Sequence, residues 1–222
     1  MNIAMLGSGG VGQTVGKKLA ELGHEVVIGT RHPERLDEKK GYAGSLREWR
    51  ESTGGRGRVA TFADAAAHGE IVVNAVSGLA TLDALHAAGE ANLRGKVLLD
   101  LANELDMSGG APRSLATDTR SLAEDIQHAF PEARVVKSLN TMSALVMVDP
   151  GLVPGGDSTV FLSGDDAGAK AQVADLLRDL GWRDILDLGD LTSARGAEML
   201  LPIWLRLWQQ LGTATFNFKI AR

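Results

Sequence analysis

The sequence predicts an α/β fold: a doubly wound, mainly parallel sheet with a small α/β extension at its C-terminal end. Three observations carry this expectation. Eight short runs rich in Val, Ile and Leu recur along the chain with helical stretches between them, the alternation that produces a parallel sheet covered by helices. Several early runs are apolar almost throughout, as strands buried on both faces must be. The first run leads directly into a glycine-rich turn, Gly7-Ser8-Gly9-Gly10-Val11-Gly12, that opens the first helical stretch.

Taken in order, the first strand is expected over Asn2–Leu6 and the first helix over 13–22. That helix stops at Gly23, whose missing Cβ permits the left-handed conformation of a helix end. Strands follow at Glu25–Gly29 and 58–61. The 41–57 stretch between them is longer than a plain connection, and Ser45 is a candidate cap for a short amphipathic helix carrying Leu46 and Trp49, bounded by Gly54 and Gly55. Further strands are expected over 70–76, 96–101, Arg134–Ser138, 159–163 and 184–188. The 103–117 loop, with Gly109, Gly110 and Pro112, leaves a strand end where ligands of such sheets bind and is a candidate lid. The last helix is expected over 194–211, bent by Pro202, which supplies no backbone donor. Its 199–205 segment is apolar around the whole circumference, so one face rests on the sheet and the other is expected to form the seam of a homodimer, with Trp204 and Trp208 one turn apart.

Composition excludes several classes. Of 222 residues, 44% are hydrophobic and 23% charged, the usage of a globular protein. Without cysteine there is no disulfide, thiolate nucleophile or thiolate-bound metal, which suits a reducing cytoplasm. A formal net charge of −5 and the lack of a basic, aromatic-interleaved stripe argue against nucleic acid as a partner. The longest apolar run, 199–205, falls far short of the roughly 20 residues of a membrane helix, so no membrane span is expected. The N-terminus enters a strand at once, with no basic leader and apolar stretch of a signal peptide. His24, His32, His68, His86 and His128 lack metal-ligand spacing, and no Gly-x-Ser-x-Gly elbow occurs, so neither a metal nor a side-chain nucleophile is expected.

The glycine turn fits G-x-G-x-x-G between strand and helix, the fingerprint of a Rossmann dinucleotide site. Its first glycine makes the tight turn, its second admits the pyrophosphate, and its third brings helix and strand together. The exposed N–H groups of the helix start attract the anion. Gly7 to Thr14 also approaches the phosphate loop of nucleotide triphosphatases, but Gln13 stands where that loop needs lysine, so this alternative fails. An NAD site ends its second strand with Asp or Glu for the ribose hydroxyls; here Thr30-Arg31-His32 stands there. A carboxylate would repel a 2′-phosphate by about 4 kcal/mol at 4 Å and an effective dielectric of 20, whereas Arg31 attracts it, so the expected cofactor is NADP. Arg35 is a candidate second contact. Asp100 and Glu104 flank a strand end as candidate proton carriers, although Asp100 is better read as a cap for the loop that follows. On this reading residues 1–145 form an NADP-binding Rossmann domain and 146–222 an extension with the acceptor-site and dimerisation helix.

Three segments carry a family resemblance: the glycine turn with the strand ending Ile28-Gly29-Thr30-Arg31, then Val135-Val136-Lys137-Ser138-Leu139-Asn140-Thr141, then Leu191-Thr192-Ser193-Ala194-Arg195 leading into Glu198-Met199-Leu200-Leu201-Pro202. In these the chain resembles, over nearly its whole length, the NADP-dependent reductases of the deazaflavin coenzyme F420. That family is itself similar to the cytoplasmic oxidoreductase domain of six-transmembrane metalloreductases. The resemblance implies that Thr30 and Arg31 hold the 2′-phosphate, that Ala75, Val76, Leu101 and Ala102 line the nicotinamide half, and that Asn140, Thr141 and Leu201 face the second coenzyme. Asn140 departs from the archaeal deazaflavin reductases, which tend to carry His there, and matches the metalloreductase branch.

Three functions stay open on the sequence: hydride transfer between NADP(H) and coenzyme F420, NADPH-dependent reduction of another acceptor (a flavin, quinone, imine or metal chelate), and a non-enzymatic NADP-sensing module. Hydroxyacid dehydrogenases and pyrroline-carboxylate reductases fit poorly, because the last 80 or so residues contain two strand patterns rather than a long all-helical domain.

Overall fold

The computed structural model describes residues 1–39, 42, 44–109 and 112–222; Gly41, which opens the 41–57 stretch, and Gly110 of the 103–117 loop lie outside the described residues. All eight expected strands form, in one sheet: β1 (Asn2–Leu6), β2 (Glu25–Gly29), β3 (Gly57–Ala60), β4 (Ile71–Asn74), β5 (Val97–Asp100), β8 (Arg134–Ser138), β9 (Thr159–Gly164) and β10 (Asp184–Asp187). Their order is β10-β9-β8-β5-β4-β1-β2-β3. All neighbours are parallel except β8 and β9, which run antiparallel with Lys137 opposite Ser163.

Near-continuous apolarity follows from burial on both faces. Ile3, Met5, Ile28, Val73, Leu99 and Val136 pack on one side with Leu19 and Trp182. Ala4, Leu6, Val27, Val72, Leu98 and Val135 pack on the other with Phe62, Leu85 and Ile126. Each large side chain so buried contributes about 1.5–3 kcal/mol.

Helix α1 (Gly10–Glu21) starts three residues before its expected first residue, because the glycines of the turn are already helical. Helix α2 (Leu46–Ser52) has the expected Ser45 cap, strengthened by Glu48 into a capping box. It buries Leu46 and Trp49, and the indole N–H of Trp49 donates to the Gln13 carbonyl (3.0 Å), fastening α2 to α1. Helices α3 (Phe62–His68), α4 (Thr81–Ala88), α5 (Glu90–Leu93) and α6 (Leu122–Ala129) follow the next strands, and α7 (Ala144–Val148) and α8 (Ala167–Asp179) flank β9 in sequence.

Three further features differ from expectation. Strands β4 and β5 stop two residues and one residue early, since Asn74 Oδ1 accepts from the Val76 N–H (3.3 Å) and Asp100 Oδ1 from the Ala102 N–H (3.1 Å), turning the backbone out of the sheet. The 103–117 loop contains a two-stranded antiparallel pair, β6 (Leu105–Asp106) and β7 (Arg113–Ser114). The stretch expected as one bent helix is two, α9 (Ala194–Met199) and α10 (Leu201–Leu211), joined at Leu200. Pro202 therefore lies in the first turn of a new helix, where no N–H is required of it. The chain then runs back beside the sheet, with Thr159 N–H donating to the Phe218 carbonyl (2.9 Å) and Phe216 stacked on Trp204.

Candidate functional site

The strand order reverses between β1 and β4, and the glycine turn sits in that crevice, at the carboxyl ends of both strands. Gly7 has φ +120° and a Cβ there would lie 2.5 Å from the Ala75 carbonyl oxygen; at Gly12 a Cβ would collide with the Gly7 carbonyl oxygen. The protein's own backbone thus demands glycine at both. Gly9 differs: its φ of −79° suits any residue, and a Cβ would meet nothing within 4 Å. Behind it α1 begins with no side-chain cap and no acidic residue in its first turn, leaving donors and the positive helix end directed at open space.

Two clefts meet at this turn and share Gly9, Ala75, Val76 and Ser77. The first, about 330 Å³, is lined also by Gly7, Ser8, Thr30, Arg31, His32 and Phe62, with Asp83 of α4. The second, about 460 Å³, is lined also by Gly10, Val11, Leu101, Ala102, Asn103, Met107, Asn140, Leu201 and Trp204. Both volumes fall within the roughly 300–1,000 Å³ of ligand sites. The sequence-derived candidates therefore converge, with three exceptions. Gly12 is buried in the first turn of α1 and lines neither cleft. Arg35 lines neither cleft and lies against Glu34 (3.7 Å) and Glu38 (3.4 Å). Thr141 is buried and lines neither, its hydroxyl lacking a partner among the described residues.

At the end of β2, Thr30 is buried and its hydroxyl lies 3.3 Å from that of Ser8, linking strand end to turn. Arg31 is exposed and, among the described residues, has no ion pair, so its guanidinium is available to an anion. His32 instead contacts Glu34 at 3.3 Å.

On the opposite wall, Leu139 adopts φ +62°, a strained conformation for a leucine, and swings the chain out of β8. Asn140 follows. Its amide donates to Asn103 Oδ1 (3.1 Å) and to the Ala197 carbonyl (3.2 Å), while Asn103 Nδ2 donates to the Asn140 carbonyl (2.7 Å). This reciprocal pair joins the loop after β5 to the end of β8 and to α9. Asn103 was missed in the sequence because nothing in its surroundings distinguishes it from a loop asparagine.

Beneath the second cleft lies a fully buried ion cluster. Lys137 Nζ donates to Asp100 Oδ2 (2.7 Å), Glu198 Oε1 (2.9 Å) and the Ala102 carbonyl (2.5 Å). Burial pulls the Lys137 pKa down, but the adjacent Asp100 and Glu198 carboxylates outweigh it and hold the pKa above the usual lysine value. Asp100 also accepts from Asn74 Nδ2 (2.7 Å), and Glu198 from the N–H groups of Leu122 (2.9 Å) and Ala123 (3.3 Å). Asp100 is thus the loop cap expected of it. A lysine within an otherwise buried strand was the signal that could have found the rest. Glu104, the other candidate proton carrier, pairs with Arg120 (2.7 Å). No cluster of metal-ligating side chains occurs among the described residues.

A G-x-G-x-x-G turn at the switch point of a parallel sheet, with Thr-Arg closing the second strand, defines a dinucleotide-binding oxidoreductase fold of the Rossmann class. Residues 2–104 match the family model described as NADP oxidoreductase, coenzyme F420-dependent. A solved structure from Arthrobacter sp. FB24, provisionally named an F420-dependent NADP reductase, is 55% identical, covers 100% of both chains and superposes with a TM-score of 0.94. The chain belongs to this family of F420-dependent NADP oxidoreductases. It is also 28% identical over 212 residues to the F420-dependent NADP reductase of Methanothermobacter marburgensis, covering 93% of this chain and 92% of that one. Metalloreductase STEAP3 of Rattus norvegicus is 28% identical over 207 residues, 91% of this chain, and this chain spans only 37% of that protein's length.

Proposed function

We propose that this protein transfers a hydride between NADP(H), seated in the first cleft with its nicotinamide reaching the second, and coenzyme F420 in the second. The observation that carries this reading is the meeting of the clefts at Gly9, Ala75, Val76 and Ser77. Gly9 supplies the test of fit: the protein has no internal need for glycine there, and a side chain would fill the space a pyrophosphate must enter. In this reading the turn from Gly7 to Gly12 binds the pyrophosphate by backbone N–H groups. Thr30 and Arg31 hold the 2′-phosphate, and Arg35 joins them by exchanging its carboxylate neighbours for the phosphate. Ala75, Val76, Leu101 and Ala102 form the apolar bed of the nicotinamide.

Asn140 and Leu201 wall the acceptor side, and Thr141, which follows Asn140 in the chain, completes that side with its hydroxyl, unpartnered among the described residues. Residues 1–145 hold the nucleotide, and 146–222 close over the acceptor through Leu201 and Trp204. The two coenzymes supply the redox chemistry, and the protein stacks them and excludes water, so positioning provides most of the rate. No side chain need act as nucleophile. Met199, Ile203, Trp208 and Leu211 are exposed along α9 and α10, and we assign them to a homodimer seam. No helix among the described residues is long and apolar enough to cross a membrane; together with the absence of cysteine this supports a cytoplasmic site of action.

Purified protein incubated with NADPH and, separately, F420, FMN, a quinone and a ferric chelate tests the reading. F420 is expected to be reduced fastest; turnover of another acceptor with none of F420 overturns the choice of acceptor. Wild-type protein is expected to prefer NADP to NAD by about 100-fold, since charge-assisted contacts are worth roughly 1.5–3 kcal/mol each. Arg31→Ala is expected to erase most of that preference. Equal affinity in the wild type would remove Arg31 from the site.

A further inference from the structure

The buried charges beneath the second cleft do not balance. Asp100 and Glu198 share the one ammonium of Lys137, and that ammonium spends its three N–H groups on Asp100, Glu198 and the Ala102 carbonyl. Each carboxylate oxygen accepts a hydrogen bond: from Asn74 and the Ala102 N–H, from Lys137, and from the Leu122 and Ala123 N–H groups. Among the described residues, every partner of these four oxygens is a donor. The start of α6, which meets Glu198, offsets at most about half a charge. A surplus of negative charge therefore remains in a region shielded from water.

Its placement is specific. Asp100 ends β5 directly before Leu101 and Ala102, and Lys137 holds the Ala102 carbonyl itself. Those two residues are half of the bed assigned above to the nicotinamide, whose oxidised ring carries one more positive charge than the reduced ring. We infer that the Asp100–Lys137–Glu198 cluster selects the oxidised nucleotide over the reduced one, so that Asp100 and Glu198 shift the equilibrium between enzyme-bound coenzymes toward the reduced acceptor. The inference rests on the proposed placement of the nicotinamide. It makes these residues electrostatic positioning groups that touch neither coenzyme.

The test is the ratio of dissociation constants for NADP⁺ and NADPH, measured by calorimetry with no acceptor present. A unit charge acting over about 10 Å at an effective dielectric of about 20–40 changes such a ratio roughly four- to fifteen-fold. Glu198→Gln and Asp100→Asn are each expected to weaken NADP⁺ relative to NADPH by that factor, Asp100→Asn more strongly because it adjoins the bed. Should Asp100→Asn not fold, Glu198→Gln, which keeps an acceptor for the Leu122 N–H, carries the test alone. Equal weakening of both nucleotides, or no change, overturns the inference and leaves the cluster as scaffolding. Wild-type protein that binds neither nucleotide overturns the functional reading, and this inference with it.

Discussion

Of the glycines in the turn, Gly7 and Gly12 are required by backbone carbonyl oxygens, Gly10 lies under the Tyr42 ring, and Gly9 meets nothing. On the proposed placement of the pyrophosphate, the difference separates binding from folding. Gly9→Ala is expected to leave the melting temperature within a degree or two, as a substitution away from packing changes stability by less than about 0.5 kcal/mol. It is expected to weaken NADP at least about tenfold, or 1.4 kcal/mol. Calorimetric titration beside a thermal melt checks both; unaltered affinity would mean that the pyrophosphate does not approach Gly9. At this scale the sequence reads unevenly. The placement of the turn, Thr30 and Arg31 along one cleft is legible because they lie at consecutive strand ends along the chain. Asn103 is not, since its importance comes from Asn140, 37 residues away, and Glu198 is not, since its partners lie on β8 and α6.

Helices α6 and α9 are clamped by Arg195, which donates twice to Glu124 (2.8 and 2.5 Å), while Glu124 completes the capping box of α6 with Ser121. The clamp sets where the chain leads into Leu201. Its hydrogen bonds from Arg195, chiefly, hold the Glu124 carboxyl below its ordinary pKa of 4.5. A lowered folded-state pKa means that the stabilisation is fully present above about 4.5 and is lost as pH falls through the folded value. Glu124→Gln keeps the capping geometry and loses the charge. It is expected to cost on the order of 1 kcal/mol at pH 7, or about 2–4 °C in Tm, with the difference from wild type narrowing below pH 4.5. A Tm difference independent of pH would assign the loss to packing. Elements with a clear start signal, such as α2 behind Ser45, were readable. The break at Leu200 was not, because Pro202 signals equally a kink within a helix and the first turn of a new one.

For the whole molecule, the sheet was legible because burial on both faces writes an uninterrupted apolar run at each strand. The β6–β7 pair escaped, since two residues carry no periodicity. The second cleft joins walls from distant parts of the chain, Leu101 and Ala102 on one side, Asn140 on another and Leu201 and Trp204 on the third. Trp204 is set between Trp208 and Phe216, with centroids 5.8 and 5.4 Å apart, so the proposed seam and the cleft wall share one aromatic stack. Trp208→Glu is expected to yield monomers in sedimentation velocity, because a seam does not readily bury an unpaired carboxylate, with NADP affinity largely kept and acceptor turnover falling with dimer content. A variant that stays dimeric and fully active would make α10 an ordinary core helix.

The antiparallel course of β9 has a practical result. Since β9 runs against β8, its first residue, Thr159, lies beyond Ser138, at the end of the sheet from which Asn140 departs. The returning tail is pinned there, by the Ile220 N–H on the Thr159 hydroxyl and by Arg222 on Asp184. Met1, in contrast, precedes β1 at the opposite end of the sheet from Gly7, a strand length of about 16 Å away at 3.3 Å per residue. On the proposed placement of the coenzymes, a fluorophore or surface anchor joined at Met1 therefore leaves their entry unobstructed, whereas the same group joined at Arg222 stands at the rim on the side assigned to the acceptor.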